Sequence, residues 1–159
     1  MFSLEKALRS AKSSMTIALV LTLLNLVILF LAYLEVFAID LSFPFSVFSI
    51  PVNALWSYIY LTEGYFQLGF FHMAMLVLML GCFVGPLLLI EQNPKLLIVA
   101  GLAYVADTVY MIYFYETIAL SSDWIVDLIF HGWVLFTIVL GIIAAFKAPK
   151  AESDPLSNL

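Results

Sequence analysis

The chain has 159 residues, of which 65% are hydrophobic and 11% are charged, and its formal net charge is −5. Soluble domains carry about 25% charged residues, so this composition excludes an ordinary water-soluble protein. The six basic residues form no stripe that could follow a nucleic-acid backbone, which argues against nucleic acid as a partner. The one cysteine, Cys82, excludes a disulfide within the chain and a cysteine-based metal cluster.

Four long apolar segments predict four helices that cross a lipid bilayer, each needing about 20 residues. We place the spans at about 15–37, 68–90, 96–115 and 124–146. The predicted fold class is an all-α integral membrane protein with four transmembrane helices in a bundle. Residues 1–146 form one domain, and residues 147–159 form a polar tail that we expect to be disordered. The first apolar stretch exceeds the ~7–15 residues of a signal-peptide core, so we expect it to be retained.

The basic residues predict the orientation of the chain. They precede the first span, separate the second from the third, or follow the fourth: Lys6, Arg9, Lys12, Lys95, Lys147 and Lys150. With four crossings these places all fall on one side, which the positive-inside rule makes the cytoplasm. We therefore expect both termini in the cytoplasm and the protein in the cell membrane.

The opposite side of the membrane is predicted to be acidic. Carboxylates lie at or near the outer ends of the spans, with no Lys or Arg among them: Glu35, Asp40, Glu63, Glu116, Asp123 and Asp127. Such a surface raises the local concentration of cations. The alternative is that acids simply carry little topological cost on that side.

The two kinds of connection differ in length and composition. The outer connection, residues 39–67, is long and aromatic, and Pro44 and Pro51 keep its first part from forming a helix. We predict either a lid over an outward-facing pocket or a connector that rests on the membrane. The connection 91–95 is a tight turn, with Pro94 suited to opening the third helix.

Asp123, Asp127 and His131 are spaced four residues apart at the mouth of the fourth span. Helical geometry stacks them along one face, and ionisable groups within a membrane indicate a functional site by default. We expect Asp127 and His131 to bind one cation together or to relay a proton. Asp123 stays at the mouth, because the rise from it to His131 is about 12 Å.

Asp107 lies near the middle of the third span, where an isolated charge costs at least ~2.5 kcal/mol. It must pair, bind a cation or stay protonated. Tyr104, three residues earlier, is predicted to supply a hydroxyl partner, while His72 and Glu63 complete an outer-half cavity. The alternative is that Asp107 only fastens two helices together.

Three chemistries fit these side chains. One is a site for a proton or cation, where Asp127 and His131 would suit a transition metal such as Zn²⁺. Another is haem b held between His72 and His131. The last is acid–base catalysis on a lipid-soluble substrate. The layout of four helices with a long first outer connection is similar in topology to sterol-isomerase-type four-helix membrane proteins. The sequence does not select a cofactor among these.

Two further features predict helix packing. Gly81-x3-Gly85 allows close helix contact, and Asn25 is expected to form an interhelical hydrogen bond. Taken together, the sequence predicts a protein that binds or transports a cation, a proton-linked ligand or a small cationic or apolar ligand. The competing class is an accessory subunit of a membrane complex. A chain this small is expected to form a homo-oligomer or join a partner subunit in order to transport.

Overall fold

The computed structural model describes residues 3–34, 66–114, 116 and 124–147. Four α-helices and one short 3₁₀ helix make up this part of the chain, which contains no strand: α1 (Leu4–Tyr33), α2 (Phe66–Leu89), the 3₁₀ helix (Pro94–Leu96), α3 (Leu97–Phe114) and α4 (Trp124–Lys147). The predicted all-helical class is confirmed. The long outer connection and the polar tail lie outside the described residues, so their predicted roles stay predictions, as does the division into domain and tail.

Three of the helices are long and apolar enough to cross a membrane, and by length and composition their candidate segments are Leu4–Ile28, Pro94–Tyr113 and Ile125–Lys147. Large apolar side chains face outward on them; Leu102 is 67% exposed and Ile129 is 70% exposed. Lipid is the solvent that suits such a surface, so the chain is an integral membrane protein. Within the described part of α2 the apolar stretch is shorter, Leu80–Leu89, and the fourth crossing stays a prediction.

Helix α1 begins eleven residues before the predicted start of the first span. Ser3 caps its first turn, where the Ser3 hydroxyl oxygen accepts from the Lys6 N–H at 3.3 Å. Glu5 and Arg9 then form an ion pair at 2.8 Å, one helical turn apart. With 30 residues, α1 rises about 45 Å and exceeds a ~30 Å hydrocarbon core. The helix is therefore longer than the crossing of a hydrocarbon core requires.

Small and hydroxylated residues set the close packing of α1 against α4. A Cβ added to Gly141 would lie 3.3 Å from the Ala11 Cβ and 2.7 Å from Leu97 Cδ1. One turn further along α1, the buried hydroxyls of Ser14 and Thr137 hydrogen-bond to each other. From the first of these contacts to the second, residue numbers increase along α1 and decrease along α4. The two helices therefore run antiparallel.

The basic residues of three separate segments lie at one end of the helices. The Lys12 ammonium on α1 donates to a Glu91 carboxylate oxygen in the turn after α2, at 2.5 Å. Lys95, in the 3₁₀ helix, lies 5.7 Å from the ring centre of Phe146 near the end of α4. These contacts support the predicted grouping of basic residues on one side. Which side that is in the cell stays a prediction.

Candidate functional site

Helical periodicity places the ionisable residues of α3 and α4 inside the protein. Buried positions recur every three or four residues along each helix, as on any helix face that packs against others. On α3 they are Leu97, Ala100, Tyr104, Asp107 and Met111, and on α4 they are Asp127, His131, Val134 and Ile138. Asp107, Asp127 and His131 thus belong to the stripes that hold the two helices together.

The register between α3 and α4 is set by a close approach at a glycine. A Cβ added to Gly101 would lie 3.3 Å from Ile138 Cγ2. Asp107 lies six residues further along α3, and His131 lies seven residues back along α4. Asp107 and His131 are in contact, so α3 and α4 run antiparallel and this register brings the two side chains to one level.

His131 and Asp107 form a pair that is wholly buried. The His131 Nε2 atom lies 2.9 Å from the Asp107 Oδ2 atom, and both side chains have 0% exposure. The other ring nitrogen, Nδ1, lies 2.8 Å from the backbone carbonyl oxygen of Asp127. A carbonyl oxygen can only accept, so Nδ1 carries a proton and donates it. Nε2 and Oδ2 therefore share one proton, held either by the imidazole or by the carboxyl group.

An aromatic column holds the imidazole ring in place. The Tyr104 ring stacks on His131 with ring centres 4.9 Å apart and an angle of 21° between the planes. Phe83 of α2 stacks on the other side of this column, 5.5 Å from the Tyr104 ring centre. The sequence predicts Tyr104 as a hydrogen-bonding member of the site, and the structure adds that its ring restricts rotation of His131. The column links α2, α3 and α4 at the depth of Asp107.

Asp127 contributes to the site in two ways. Its backbone carbonyl orients His131, which the four-residue spacing allows because a helical side chain leans back over the preceding turn. Its side chain is 2% exposed, which places a second carboxyl group in the buried interior. The sequence predicts that Asp127 and His131 act together through their side chains. The structure shows a contact through the Asp127 main chain, and joint action of the two side chains stays a prediction.

Helix α1 carries two buried polar residues at about the depth of this site. Asn25 lies eleven residues beyond Ser14, and the α1–α4 register carries it to the level of Asp127. Thr22 reaches approximately the level of His131; it is fully buried, and its hydroxyl donates to the Ala18 carbonyl at 2.8 Å. The sequence contains one indication that Thr22 and Asn25 face inward, because they follow Ala18 at the three-to-four-residue spacing of one helix face. Asn25 is buried, and its interhelical hydrogen bond stays a prediction.

The structure describes the other predicted site residues to different extents. Glu63 and Asp123 lie outside the described residues. His72 lies on α2, and its side chain is outside the described part of the structure. Apart from the backbone of α2 itself and the chain neighbours of each glycine, no atom of the described residues lies within 4 Å of a Cβ added to Gly81 or Gly85. A packing role for these glycines stays a prediction.

The predicted metal and haem sites compete with contacts already made. Among the described residues, no three His, Cys, Asp or Glu side chains are grouped so as to hold a metal ion. Both ring nitrogens of His131 have partners, so an ion shared with Asp127, or a haem iron, would displace Asp107 or the Asp127 carbonyl. Metal binding and haem binding by His131 stay predictions, and either would require one of these two hydrogen bonds to break.

Comparison with protein-family models, with curated proteins and with solved structures found no match. The class of the protein therefore rests on its own features: an integral membrane protein with a histidine–carboxylate pair buried between two antiparallel helices.

Proposed function

We propose that this protein binds a positively charged small ligand in exchange for a proton, as a ligand-binding or transport protein of the membrane. The observation that supports it is the 2.9 Å contact between His131 Nε2 and Asp107 Oδ2, with Nδ1 already donating to the Asp127 carbonyl. This geometry holds one exchangeable proton at a defined pair of atoms.

Charge balance supports the exchange. With its one proton, the pair of Asp107 and His131 carries no net charge, which lets it remain in a medium of low dielectric constant. A cation that approaches the Asp107 carboxylate adds one positive charge. The balance is restored if the shared proton leaves, so that one cation enters as one proton departs.

The neighbours of the pair favour an organic cation with apolar surface. The stacked rings of Phe83 and Tyr104 supply apolar surface beside the pair. Asp127 offers a second carboxyl group toward the predicted outer end of α4, where the sequence predicts further acids. A ligand would then come from the outer side, through Asp127, to Asp107.

Proton release on ligand addition tests this proposal. The purified full chain, in detergent and a weakly buffered solution with a pH indicator, receives Na⁺ in one arm and tetraphenylphosphonium in the other. We expect acidification in the tetraphenylphosphonium arm, approaching one proton per chain at saturation. Release by Na⁺ alone would mean that the ligand is an inorganic cation, bound by the same chemistry.

Three variants locate the source of the proton. Asp107→Asn and His131→Gln should abolish the release, because neither leaves a shared proton between Nε2 and Oδ2. Glu152→Gln, which removes a carboxylate of the predicted polar tail, is the matched control and should release protons as the wild type does. If neither probe releases protons from the wild type, or if Asp107→Asn still releases them, the pair only fastens helices and an accessory-subunit role is favoured.

A further inference from the structure

A second site lies at the basic end of the protein, away from Asp107. An open groove of about 600 Å³ runs between the first turns of α1 and the end of α2. Its volume falls within the ~300–1,000 Å³ of small-molecule sites. The residues that line it are Leu4, Glu5, Leu8, Arg9, Lys12, Ile90 and Glu91.

The length of α1 places this groove at the depth of the lipid headgroups. The helix exceeds the hydrocarbon core by about 15 Å, which is roughly ten residues. The projecting end is the charged one, since it carries Arg9 and Lys12 within its first three turns. Glu91 belongs to the polar turn after α2, which also requires a position outside the hydrocarbon core.

The groove combines an apolar lining with charges of both signs. Leu4, Leu8 and Ile90 supply the apolar part. Arg9 faces Glu5 at 2.8 Å, and Lys12 faces Glu91 at 2.5 Å, so each of the two cations is paired with one carboxylate. Each cation keeps N–H donors beyond the one used in its ion pair. Because these pairs are exposed, rearranging them around a ligand costs little.

We infer that this groove binds a phospholipid with a phosphoethanolamine headgroup. The phosphate accepts hydrogen bonds from Arg9 and Lys12, and the primary ammonium donates to Glu5 and Glu91. The first carbons of the lipid chains lie on the apolar lining. A phosphocholine headgroup has no N–H to donate to the carboxylates, and a phosphoglycerol headgroup brings a negative charge with no cation for them.

Lipid-dependent stability tests the assignment. The purified full chain in detergent is titrated with phosphatidylethanolamine, phosphatidylcholine or phosphatidylglycerol of identical acyl chains, and its unfolding temperature is measured. We expect phosphatidylethanolamine to act at a concentration roughly tenfold lower than phosphatidylcholine, as the loss of one or two charge-assisted hydrogen bonds implies. Native mass spectrometry of the same samples counts the lipids retained.

Paired variants separate the two halves of the headgroup. Glu5→Gln with Glu91→Gln should remove the preference for phosphatidylethanolamine over phosphatidylcholine, and Arg9→Gln with Lys12→Gln should weaken both lipids. Lys95→Gln is the control, since it removes a cation at the same end but outside the groove. If a double variant fails to fold, the single variants Arg9→Gln and Glu91→Gln replace it. Equal action of the three lipids, a stronger effect of phosphatidylglycerol, or a preference unchanged in the variants would overturn the assignment.

Discussion

His131 and Asp107 share one proton across a 2.9 Å contact, and both side chains are completely buried. Each ring nitrogen has a defined role: Nδ1 donates to the Asp127 carbonyl, and Nε2 faces the carboxyl group. Buried pairs of this kind are sensitive to the loss of one partner, because the remaining polar atom cannot reach water. The consequences of substitution at Asp107 therefore depend on whether the new side chain can still meet Nε2.

Asp107→Asn and Asp107→Ala should differ in stability. An asparagine amide can donate an N–H to Nε2 of the neutral imidazole, whereas alanine leaves that buried acceptor without a partner. We expect Asp107→Ala to lower the free energy of unfolding by ~1–3 kcal/mol more than Asp107→Asn does. Denaturant unfolding of the two variants in the same detergent measures the difference. Equal stability of the two variants would contradict the contact between Asp107 and His131.

The packing of α1 on α4 predicts a large difference between two glycines. Gly141→Leu must displace the Leu97 side chain and also meets Ala11, so it should cost ~1–3 kcal/mol of stability through overpacking. Gly81→Leu is the matched control, because apart from its own helix backbone and chain neighbours no atom of the described residues lies within 4 Å of its added Cβ. Thermal unfolding of both variants in detergent makes the comparison. If Gly81→Leu loses as much stability as Gly141→Leu, then Gly81 must make a close contact with another part of the chain or with a second copy of the protein.

Much of the fold was predictable because apolar length and helical periodicity are local properties. The second, third and fourth predicted spans agree with the helices to within two residues at each end. Helix α1 begins before the predicted first span, since hydropathy finds the apolar segment but not the helix that Ser3 caps and the Glu5–Arg9 pair supports. Helix ends of this kind depend on polar contacts rather than on apolar content.

The site was predictable in part. Three-to-four-residue spacing correctly puts Asp127 and His131 on one buried face, and the mid-span position of Asp107 predicts a need for a partner. That His131 is this partner depends on the register between α3 and α4, which the approach of Gly101 to Ile138 sets. The stacking of Tyr104 on His131 likewise depends on contacts between residues far apart in sequence. A single sequence does not reveal such contacts.

The contact between Lys12 and Glu91 predicts a pH dependence of stability. The hydrogen bond from Lys12, and then its positive charge, lower the pKa of Glu91 from its ordinary value of 4.5. A lowered folded-state pKa adds stability above the unfolded-state pKa, and this contribution disappears as the pH falls through the folded-state value. Lys12→Gln should therefore reduce the unfolding temperature slightly at neutral pH and have no effect in acid. A double-mutant cycle with Glu91→Gln isolates the coupling, and a coupling that persists in strong acid would disprove this origin.

The gathering of basic residues at one end predicts which parts of the chain reagents can reach from outside the cell. Gln92 lies in the exposed turn beside Glu91, and Glu116, also exposed, follows α3 at its other end. In a Cys82→Ala background, Gln92→Cys and Glu116→Cys each place one thiol at one end of α3. A membrane-impermeant maleimide should label Glu116→Cys in intact cells and Gln92→Cys only after permeabilisation, because the positive-inside rule retains Lys12 and Lys95 in the cytoplasm. The opposite labelling pattern would invert the orientation. It would also place the proposed lipid groove in the outer leaflet and move Asp127 to the cytoplasmic side of the Asp107–His131 pair.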